Sequence, residues 1–186
     1  MIKLMMKRPA IFLDRDGTLI EDLHYPKDPE KVKWVSGAPQ ALKELQNLGF
    51  LLFVVSNQSG VGRGIITDSE FRSVHERVCK LLKESGIEIL EFAYCFHKPE
   101  DLCKCRKPET KLILDLAKTH SIDLSRSYTV GDKWSDVLLG VRVGANGILL
   151  GSAQPEQNPP DLERQNQSNF PTWAEVVAFI RRSKIN

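Results

Sequence analysis

The stretch AIFLDRDGT, residues Ala10–Thr18, decides the fold of this chain. Its first four residues, Ala10–Leu13, are apolar without interruption, which predicts a short strand buried on both faces, as in a parallel sheet. Two carboxylates, Asp14 and Asp16, follow the strand directly, and Gly17 allows the backbone to turn there. Because ligands of open parallel sheets bind at the carboxyl ends of the strands, this stretch also predicts where a site lies.

Short apolar runs and helical stripes alternate along the rest of the chain. Further strands are predicted at Phe50–Val55, Phe92–Phe96, Tyr128–Val130 and Ile148–Leu150. Apolar residues at helical spacing lie between Ala38 and Leu48, Phe71 and Leu82, Leu112 and Leu116, Val137 and Val141, and after Thr172. This alternation predicts an α/β fold of three layers around a mainly parallel, Rossmann-like sheet. The polar, proline-containing segment Ser152–Asn169 predicts a surface loop before the last helix.

Length, composition and charge limit the classes of function. The 186 residues are 41% hydrophobic and 27% charged, which is typical of globular proteins and predicts a single domain over residues 1–186. The net charge of +2 gives no general case for a nucleic-acid partner. No apolar run reaches the ~18 residues that span a bilayer, and the opening residues MIKLMMKRP lack the features of a secretory signal. We expect a cytoplasmic monomer without disulfides and without a nucleic-acid or membrane partner.

Polar residues follow three of the predicted strands at the point where each strand ends. Asp14 and Asp16 follow the first, Ser56 the second and Asp132 the fourth, with Asp136 four residues further on. Taken singly, each has a plain structural explanation as a turn residue, a helix cap or a strand end. The shared sheet edge instead brings the carboxylates together, where they repel one another unless a cation is bound. Oxygen ligands favour a hard cation, and Mg²⁺ is the expected one.

The polar residues also occur in a familiar order. DRDGT, the serine of the second strand, the lysine of CRKP and GDxxxD resemble the four motifs of the haloacid-dehalogenase-like phosphatases. The resemblance implies that Asp14 is a nucleophile that forms an aspartyl phosphate and that Asp16 is first the general acid and then the general base. It implies that Ser56 and Lys107 hold the phosphoryl oxygens and that Asp132 completes a Mg²⁺ site with Asp14 and the Asp16 carbonyl. A phosphotransferase with the same first half-reaction is an alternative.

Loops around this edge supply candidate contacts for a substrate. The candidates are Asp22, His24, Tyr25, Asn57, Gln58, Ser59, Arg63, Arg106 and Lys133. The resemblance implies that the segment Leu19–Ser36, which contains His24, is a flap near the phosphate. His24 could be a general base, but Asp16 already has that role, so we expect a surface or substrate-contacting histidine. Arg63 lies in a glycine-rich loop and suits bidentate recognition of phosphate or sugar hydroxyls, so we expect it to contact the substrate. The alternative is a solvent-exposed loop arginine. Neither segment is long enough for a separate cap domain, so we expect an open site.

A second cluster, CFHKPEDLCKC, packs three cysteines and one histidine into residues 95–105. Cys95, His97, Cys103 and Cys105 form the closed tetrahedral donor set of a structural zinc ion, with no position left for water. The one-residue spacings are tighter than in a zinc finger and make a disulfide between Cys103 and Cys105 unattractive. Because this zinc loop ends directly before Arg106 and Lys107, we expect the ion to fix where those two cations emerge.

The zinc loop narrows the resemblance to two branches of the superfamily, the heptose-bisphosphate phosphatases and the histidinol-phosphate phosphatases. NQSGVGRG, with Ser59 and Arg63, and GDK, with Lys133, are similar to the heptose branch, although Gly62 departs from its usual alanine. The resemblance implies hydrolysis of the C7 phosphate of D-glycero-D-manno-heptose 1,7-bisphosphate, a reaction of carbohydrate metabolism. Arg63, Arg106 and Lys133 would then hold the phosphate that remains.

Three other functions stay open on the sequence, as does the anomer. They are a histidinol-phosphate phosphatase, a nucleic-acid 3′-phosphatase of the same superfamily, and a non-catalytic zinc-knuckle protein. The intact carboxylates and the absence of an aromatic row beside the basic residues disfavour the non-catalytic protein.

Overall fold

The central element of the chain is a parallel sheet of six strands. The computed structural model describes residues 7–151 and 167–185. The strands are β1 (Ala10–Leu13), β2 (Leu51–Asn57), β3 (Glu91–Cys95), β4 (Tyr128–Gly131), β5 (Asn146–Leu150) and β6 (Gln167–Phe170). Their order is β3-β2-β1-β4-β5-β6, and every neighbouring pair is parallel. The predicted Rossmann-like sheet is confirmed.

The central strand β1 shows why the sheet has a layer on each face. All four of its residues are buried, and successive side chains point to opposite faces. Ile11 and Leu13 belong to one hydrophobic core, and Ala10 and Phe12 belong to the other. An uninterrupted apolar run is therefore what a strand covered on both sides requires.

Within the described residues, six α-helices accompany the sheet. They are α1 (Ala38–Asn47), α2 (Ser59–Gly62), α3 (Asp68–Glu84), α4 (Lys111–His120), α5 (Trp134–Arg142) and α6 (Trp173–Ile185). Buried residues of α1, α3 and α6 pack in the core with Ile11, and those of α4 and α5 pack in the core with Phe12. Thr67 begins α3 with a capping box that includes Glu70, as its sequence suggests. No helix of the described ranges has the length and apolar character needed to cross a membrane.

Two sequence expectations fail in detail. Residues 167–169, predicted to belong to a loop, lie in β6, whose polar sequence QSNF gave no apolar signal because it is an edge strand paired only with β5. Residues 152–166 of that predicted loop, and the first six residues of the chain, lie outside the described residues. The apolar stripe predicted between Leu112 and Leu116 includes Leu114, which is exposed in α4, whereas Ile113 and Leu116 are buried, since residues two apart cannot share one face of a helix.

The sheet order places the site. The chain builds outward from β1 to β2 and β3, then crosses to the other side of β1 to form β4. The loops after β1 and β4 therefore part at the carboxyl edge and leave the crevice in which open α/β sheets bind ligands. Between β1 and α1 the described chain forms only isolated bridges, Asp16↔Ile20 and Ile20↔Trp34, and one short 3-10 turn, Pro29–Lys31. The prediction that no large cap domain covers the site is confirmed for the described residues.

Candidate active site

A cavity of about 310 Å³ opens at the carboxyl edge of the sheet. The predicted site residues that line it are Asp14, Asp16, Asp22, His24, Tyr25, Ser56, Asn57, Gln58, Ser59, Arg106, Lys107 and Lys133. These residues come from the end of β2, from the loops after β1, β2 and β4, and from the two residues that follow the zinc loop, as the sheet topology requires. Asp132 is not among the lining residues, but one of its oxygens lies within 4.8 Å of an Asp14 oxygen.

The floor of the cavity is a buried lysine held between two buried aspartates. Lys107 Nζ lies 2.7 Å from Asp14 Oδ1 and 2.5 Å from Asp136 Oδ1, and it donates to the carbonyl of Val55 at 2.8 Å. Burial alone would lower the pKa of Lys107, but the charges of Asp136 and Asp14 outweigh it and raise that pKa. Lys107 is therefore a fixed cation at the base of the cavity.

The same contacts keep Asp14 ionised. Burial would raise its pKa, but the charge and hydrogen bond of Lys107, with hydrogen bonds from Ser56 and the Arg15 backbone, outweigh burial and lower it. Asp14 also follows β1 directly, and its backbone N–H donates to the carbonyl of Val130 on β4. A buried, ionised and immobile carboxylate beside a cation has the properties of an oxygen nucleophile.

Asp136 is a site residue that the sequence prediction left without a role. It lies in the first turn of α5, it is 3% exposed, and burial raises its pKa to about 6 against the opposing charge of Lys107. Gly131 permits this approach, because a Cβ there would lie 2.2 Å from Asp136 Cγ. The spacing of GDxxxD was the available signal, since the fourth residue after Asp132 falls in the first turn of the helix.

Three carboxylates converge above Lys107 in a way that suits a cation. One oxygen each of Asp14, Asp132 and Asp136 lie within 4.8 Å of one another. Asp132 Oδ1 is buried without a hydrogen-bond partner in the described structure. Burial raises the pKa of Asp132 to about 7; the charge of Lys133 acts to lower this pKa, and the charge of Asp14 acts to raise it. A buried oxygen without a donor, in a group whose negative charge is disfavoured, fits an oxygen-liganded cation. Gly17 makes room, because a Cβ on this left-handed residue would lie 2.4 Å from Asp132 Oδ2.

The side chains of Asn57 and Gln58 are hydrogen-bonded to other residues of the site. The Asn57 amide accepts from the backbone N–H of Lys107 at 2.9 Å and donates to the Lys107 carbonyl at 3.2 Å. The Gln58 amide donates to Asp16 Oδ2 at 2.7 Å and to Ser56 Oγ at 3.0 Å. Both residues line the cavity, but their amides position protein groups.

The flap is held in an unusual backbone conformation. His24 and Tyr25 have φ values of 51° and 68°, a region that costs non-glycine residues roughly 1–2 kcal/mol each. The Asp22 carboxylate accepts from the His24 backbone N–H at 2.9 Å. Tyr25 packs closely on Gly60, where a Cβ would lie 2.5 Å from Tyr25 Cδ1. The flap and the loop after β2 therefore form one wall of the cavity.

Lys133 and Arg63 occupy different positions at the mouth. Lys133 Nζ lies 3.6 Å from both Asp22 Oδ2 and Asp132 Oδ2, so it connects the flap to the loop after β4. Arg63 follows the last residue of α2, is exposed, and is not among the residues that line the cavity. The substrate contact of Arg63 stays a prediction.

The four predicted zinc ligands come together. Cys105 Sγ lies 3.3 Å from Cys95 Sγ, 3.4 Å from Cys103 Sγ and 3.1 Å from His97 Nδ1. Cys95 Sγ lies 3.7 Å from Cys103 Sγ and 3.6 Å from His97 Nδ1. These spacings are close to the edges of about 3.5–3.8 Å of a tetrahedron with Zn–S bonds of about 2.3 Å. The cluster could hold zinc.

The zinc loop is joined to the site at its end and near its start. Arg106 Nη1 donates to the carbonyl of His97 at 3.4 Å, which ties a cavity-lining guanidinium to the loop. At the other contact, a Cβ on Gly62 would lie 2.1 Å from the carbonyl oxygen of Phe96. Gly62 therefore lets α2 pack against the backbone of the loop.

The sheet order and the chemistry at its edge together define a class, the haloacid-dehalogenase-like phosphatases. The chain belongs to this class, in the family described as Polynucleotide kinase 3 phosphatase, which residues 9–142 match. It is 40% identical over 166 residues to the D-glycero-beta-D-manno-heptose-1,7-bisphosphate 7-phosphatase of Helicobacter pylori strain J99, covering 88% of this chain and 95% of the relative.

The chain is also similar to a second curated protein and to a solved structure. The chain is 33% identical over 171 residues to the histidine biosynthesis bifunctional protein HisB of Campylobacter jejuni, covering 89% of this chain and 47% of that protein. Its fold is similar to that of the D,D-heptose 1,7-bisphosphate phosphatase of B. bronchiseptica, solved with magnesium and phosphate. The TM-score is 0.83 at 24% identity, with 94% of this chain and 99% of the other covered.

Proposed function

We propose that the chain is a Mg²⁺-dependent phosphoric monoester hydrolase that removes the C7 phosphate of D-glycero-β-D-manno-heptose 1,7-bisphosphate. The observation that carries the proposal is the buried pair of Asp14 and Lys107, joined at 2.7 Å on the floor of an open cavity. The 40% identity to the Helicobacter pylori phosphatase supports the sugar and its β anomer.

The first step of the proposed reaction transfers the phosphoryl group to the protein. An Asp14 carboxylate oxygen attacks phosphorus, the bond from phosphorus to the sugar oxygen breaks, and Asp16 gives its proton to that leaving oxygen. Lys107 and the Ser56 hydroxyl contact the phosphoryl oxygens, where negative charge is spread in the transition state. Because Lys107 is already fixed by Asp136, its charge needs little reorganisation to act.

The second step regenerates the nucleophile. The Asp16 carboxylate takes a proton from water, the water oxygen attacks phosphorus, and the bond between Asp14 and phosphorus breaks to release inorganic phosphate. Asp16 ends the cycle protonated and ready for the next leaving group. One hard displacement thereby becomes two easier ones.

Two metal ions are part of the proposal. Asp14, Asp132 and the backbone carbonyl of Asp16 would hold Mg²⁺, which would neutralise charge on the carboxylates and on the phosphoryl oxygens. Asp136 is assigned to Lys107 rather than to the metal, because its Oδ1 lies 2.5 Å from Lys107 Nζ. Zinc in the loop at residues 95–105 would be structural, since all four tetrahedral positions come from the protein.

The phosphate that remains and the sugar would be held at the mouth. Arg106 and Lys133 line the cavity and supply cations for the remaining phosphate, with Arg63 as a further candidate from outside the lining. Asp22, His24, Tyr25 and Ser59 line the same space and are candidates for contacts with sugar hydroxyls. We propose that residues 1–186 form one domain that works as a monomer. A cluster of thiols that must stay reduced to bind zinc suits the cytoplasm.

The experiment that tests the function is a substrate comparison with purified protein and added Mg²⁺. Phosphate release would be measured from both anomers of the heptose bisphosphate, from histidinol phosphate and from a 3′-phosphorylated oligonucleotide. The β anomer is expected to have the highest kcat/KM, and Asp14→Asn is expected to abolish release from every substrate. Fastest turnover of histidinol phosphate would establish the second candidate, which the 33% identity to HisB favours.

A further inference from the structure

We propose that Arg15 and Gln58 are positioning residues that orient the Asp16 carboxylate for proton transfer. This inference rests on the proposed function, because it assigns how the general acid and base of that reaction is held. Arg15 Nη2 donates to Asp16 Oδ1 at 3.0 Å, and Arg15 Nε donates to Asp16 Oδ2 at 3.1 Å. Gln58 Nε2 donates to Asp16 Oδ2 at 2.7 Å. A two-pronged guanidinium and an amide therefore fix the plane of the carboxylate.

Arg15 is itself immobile. It is 1% exposed, its guanidinium lies over the Phe71 ring at 5.7 Å from the centroid, and its Nη2 also donates to Gln58 Oε1 at 2.9 Å. Its Nη1 is buried without a hydrogen-bond partner in the described structure, and its Nε and Nη2 donate to Asp16 and Gln58. A buried arginine is costly to desolvate, and these contacts direct its charge to one carboxylate.

The geometry distinguishes positioning from a purely structural role. Asp16 keeps 15% of its side chain exposed and lines the cavity. The carboxylate is therefore held by Arg15 and Gln58 and still accessible to a ligand in the cavity. A general acid must stay within hydrogen-bond reach of the leaving oxygen, and small displacements of such groups cost large factors in rate. Gln58 supports the carboxylate from a separate element. It directly follows β2, the strand next to β1, whereas Arg15 and Asp16 follow β1.

The test separates the two chemical steps with aryl phosphates of graded leaving-group strength. Single-turnover release of the phenol and of inorganic phosphate would be followed for phenyl, 4-nitrophenyl and 2,4-dinitrophenyl phosphate. In Arg15→Lys, which keeps the charge but loses the planar fork, phenol release from phenyl phosphate is expected to fall about 10-fold or more. Release of dinitrophenol, which needs no proton, is expected to stay within about twofold of wild type. Phosphate release is expected to slow for all three compounds, because the second step always needs Asp16 as a base.

A second variant and a control make the result decisive. Gln58→Met removes one hydrogen-bond donor to Asp16 and leaves the Arg15 guanidinium in place. As in Arg15→Lys, phenol release is expected to slow more for phenyl phosphate than for 2,4-dinitrophenyl phosphate. Gln58→Met carries the test if Arg15→Lys fails to fold, as judged by circular dichroism. Cys79→Ala changes a side chain of α3 that contacts His75 on the same helix, and it is expected to leave all rates unchanged.

Two outcomes would overturn the inference while leaving the proposed function intact. Equal losses for all three phenols would show that these residues only maintain the fold of the site, and unchanged rates would show that Asp16 needs no support. The proposed function fails by a different result, namely phosphate release that survives Asp14→Asn.

Discussion

Asn57 and Lys107 are 50 positions apart in the chain, and the Asn57 side chain bonds both backbone groups of Lys107. Asn57 is the last residue of β2, the strand next to β1, so its position is set by the sheet. Lys107 follows the zinc loop, which has little regular structure of its own. The sheet therefore fixes the backbone of the lysine at the point where the chain leaves the zinc loop.

Asn57→Ala is expected to lower kcat by about 10-fold or more, because misplacing Lys107 by a fraction of an ångström weakens its contact with the phosphoryl group. KM should change less, since the cations at the mouth are untouched. Steady-state kinetics with the heptose bisphosphate measures both. Asn57→Asp, which keeps the acceptor for the Lys107 N–H, is expected to lose less, and equal losses in the two variants would contradict the explanation.

The carboxylate cluster predicts a pH dependence of stability when no Mg²⁺ is present. Burial raises the pKa of Asp132 from its usual 3.8 to about 7 in the folded state. Between these values the folded state binds more protons on Asp132 than the unfolded state does, so the free energy of unfolding falls as pH rises from about 4 to 7. Mg²⁺ binds the ionised form, and it should raise Tm more at pH 8 than at pH 5.

Thermal melts of wild type and Asp132→Asn, with and without added Mg²⁺, measure this effect. The variant cannot ionise at this position, so the difference in Tm between pH 5 and pH 8 should shrink. Its response to Mg²⁺ should largely disappear. A variant that keeps the full wild-type response to Mg²⁺ would remove Asp132 from the metal site.

Loss of one thiol from the zinc loop should reduce catalysis at a distance. Cys103→Ser is expected to bind less than one equivalent of zinc by elemental analysis, to melt at lower temperature and to lose kcat, because Arg106 and Lys107 would no longer be fixed. Cys79→Ser is the matched control, since Cys79 lies on α3 outside the four-ligand cluster. Full turnover by a zinc-free Cys103→Ser protein would sink the idea that the ion organises these two cations.

The position of Lys133 beside Asp22 at the mouth of the cavity predicts that Lys133 binds the second phosphate of the substrate. Lys133→Ala is expected to raise KM for the bisphosphate about 10-fold, which corresponds to about 1.4 kcal/mol, the cost of one charge-assisted contact. Hydrolysis of 4-nitrophenyl phosphate, which has one phosphate, should change little. Arg63→Ala provides the comparison, because Arg63 lies outside the cavity lining. A larger effect of Arg63→Ala would assign the second phosphate to the residue that follows α2.

Much of this site could be predicted because parallel-strand topology converts sequence order into position. Asp14, Ser56 and Asp132 each follow an apolar run, so their convergence depended only on the strands being parallel. The zinc cluster was equally accessible, since its ligands lie within one short loop. The edge strand β6 was not, because a strand with few buried residues has no apolar periodicity to detect.

The orientations of the side chains could not be predicted from the sequence. Nothing in DRDGT indicates that Arg15 folds back onto its neighbour, or that Asn57 would bond the Lys107 backbone and not a ligand. These contacts depend on which rotamers the packed surroundings permit, and the Phe71 ring beside the Arg15 guanidinium is one such constraint.

The position of Asp136 has a consequence for the whole reaction cycle. In the proposed aspartyl phosphate the Asp14 carboxylate no longer carries its own charge, and the negative charge in its place lies on phosphoryl oxygens that leave as inorganic phosphate. Asp136 is 3% exposed and takes no part in the proposed bond making, and it stays 2.5 Å from Lys107 Nζ. The lysine thus keeps a permanent counterion, and its ionisation is insulated from the chemical state of the residue beside it.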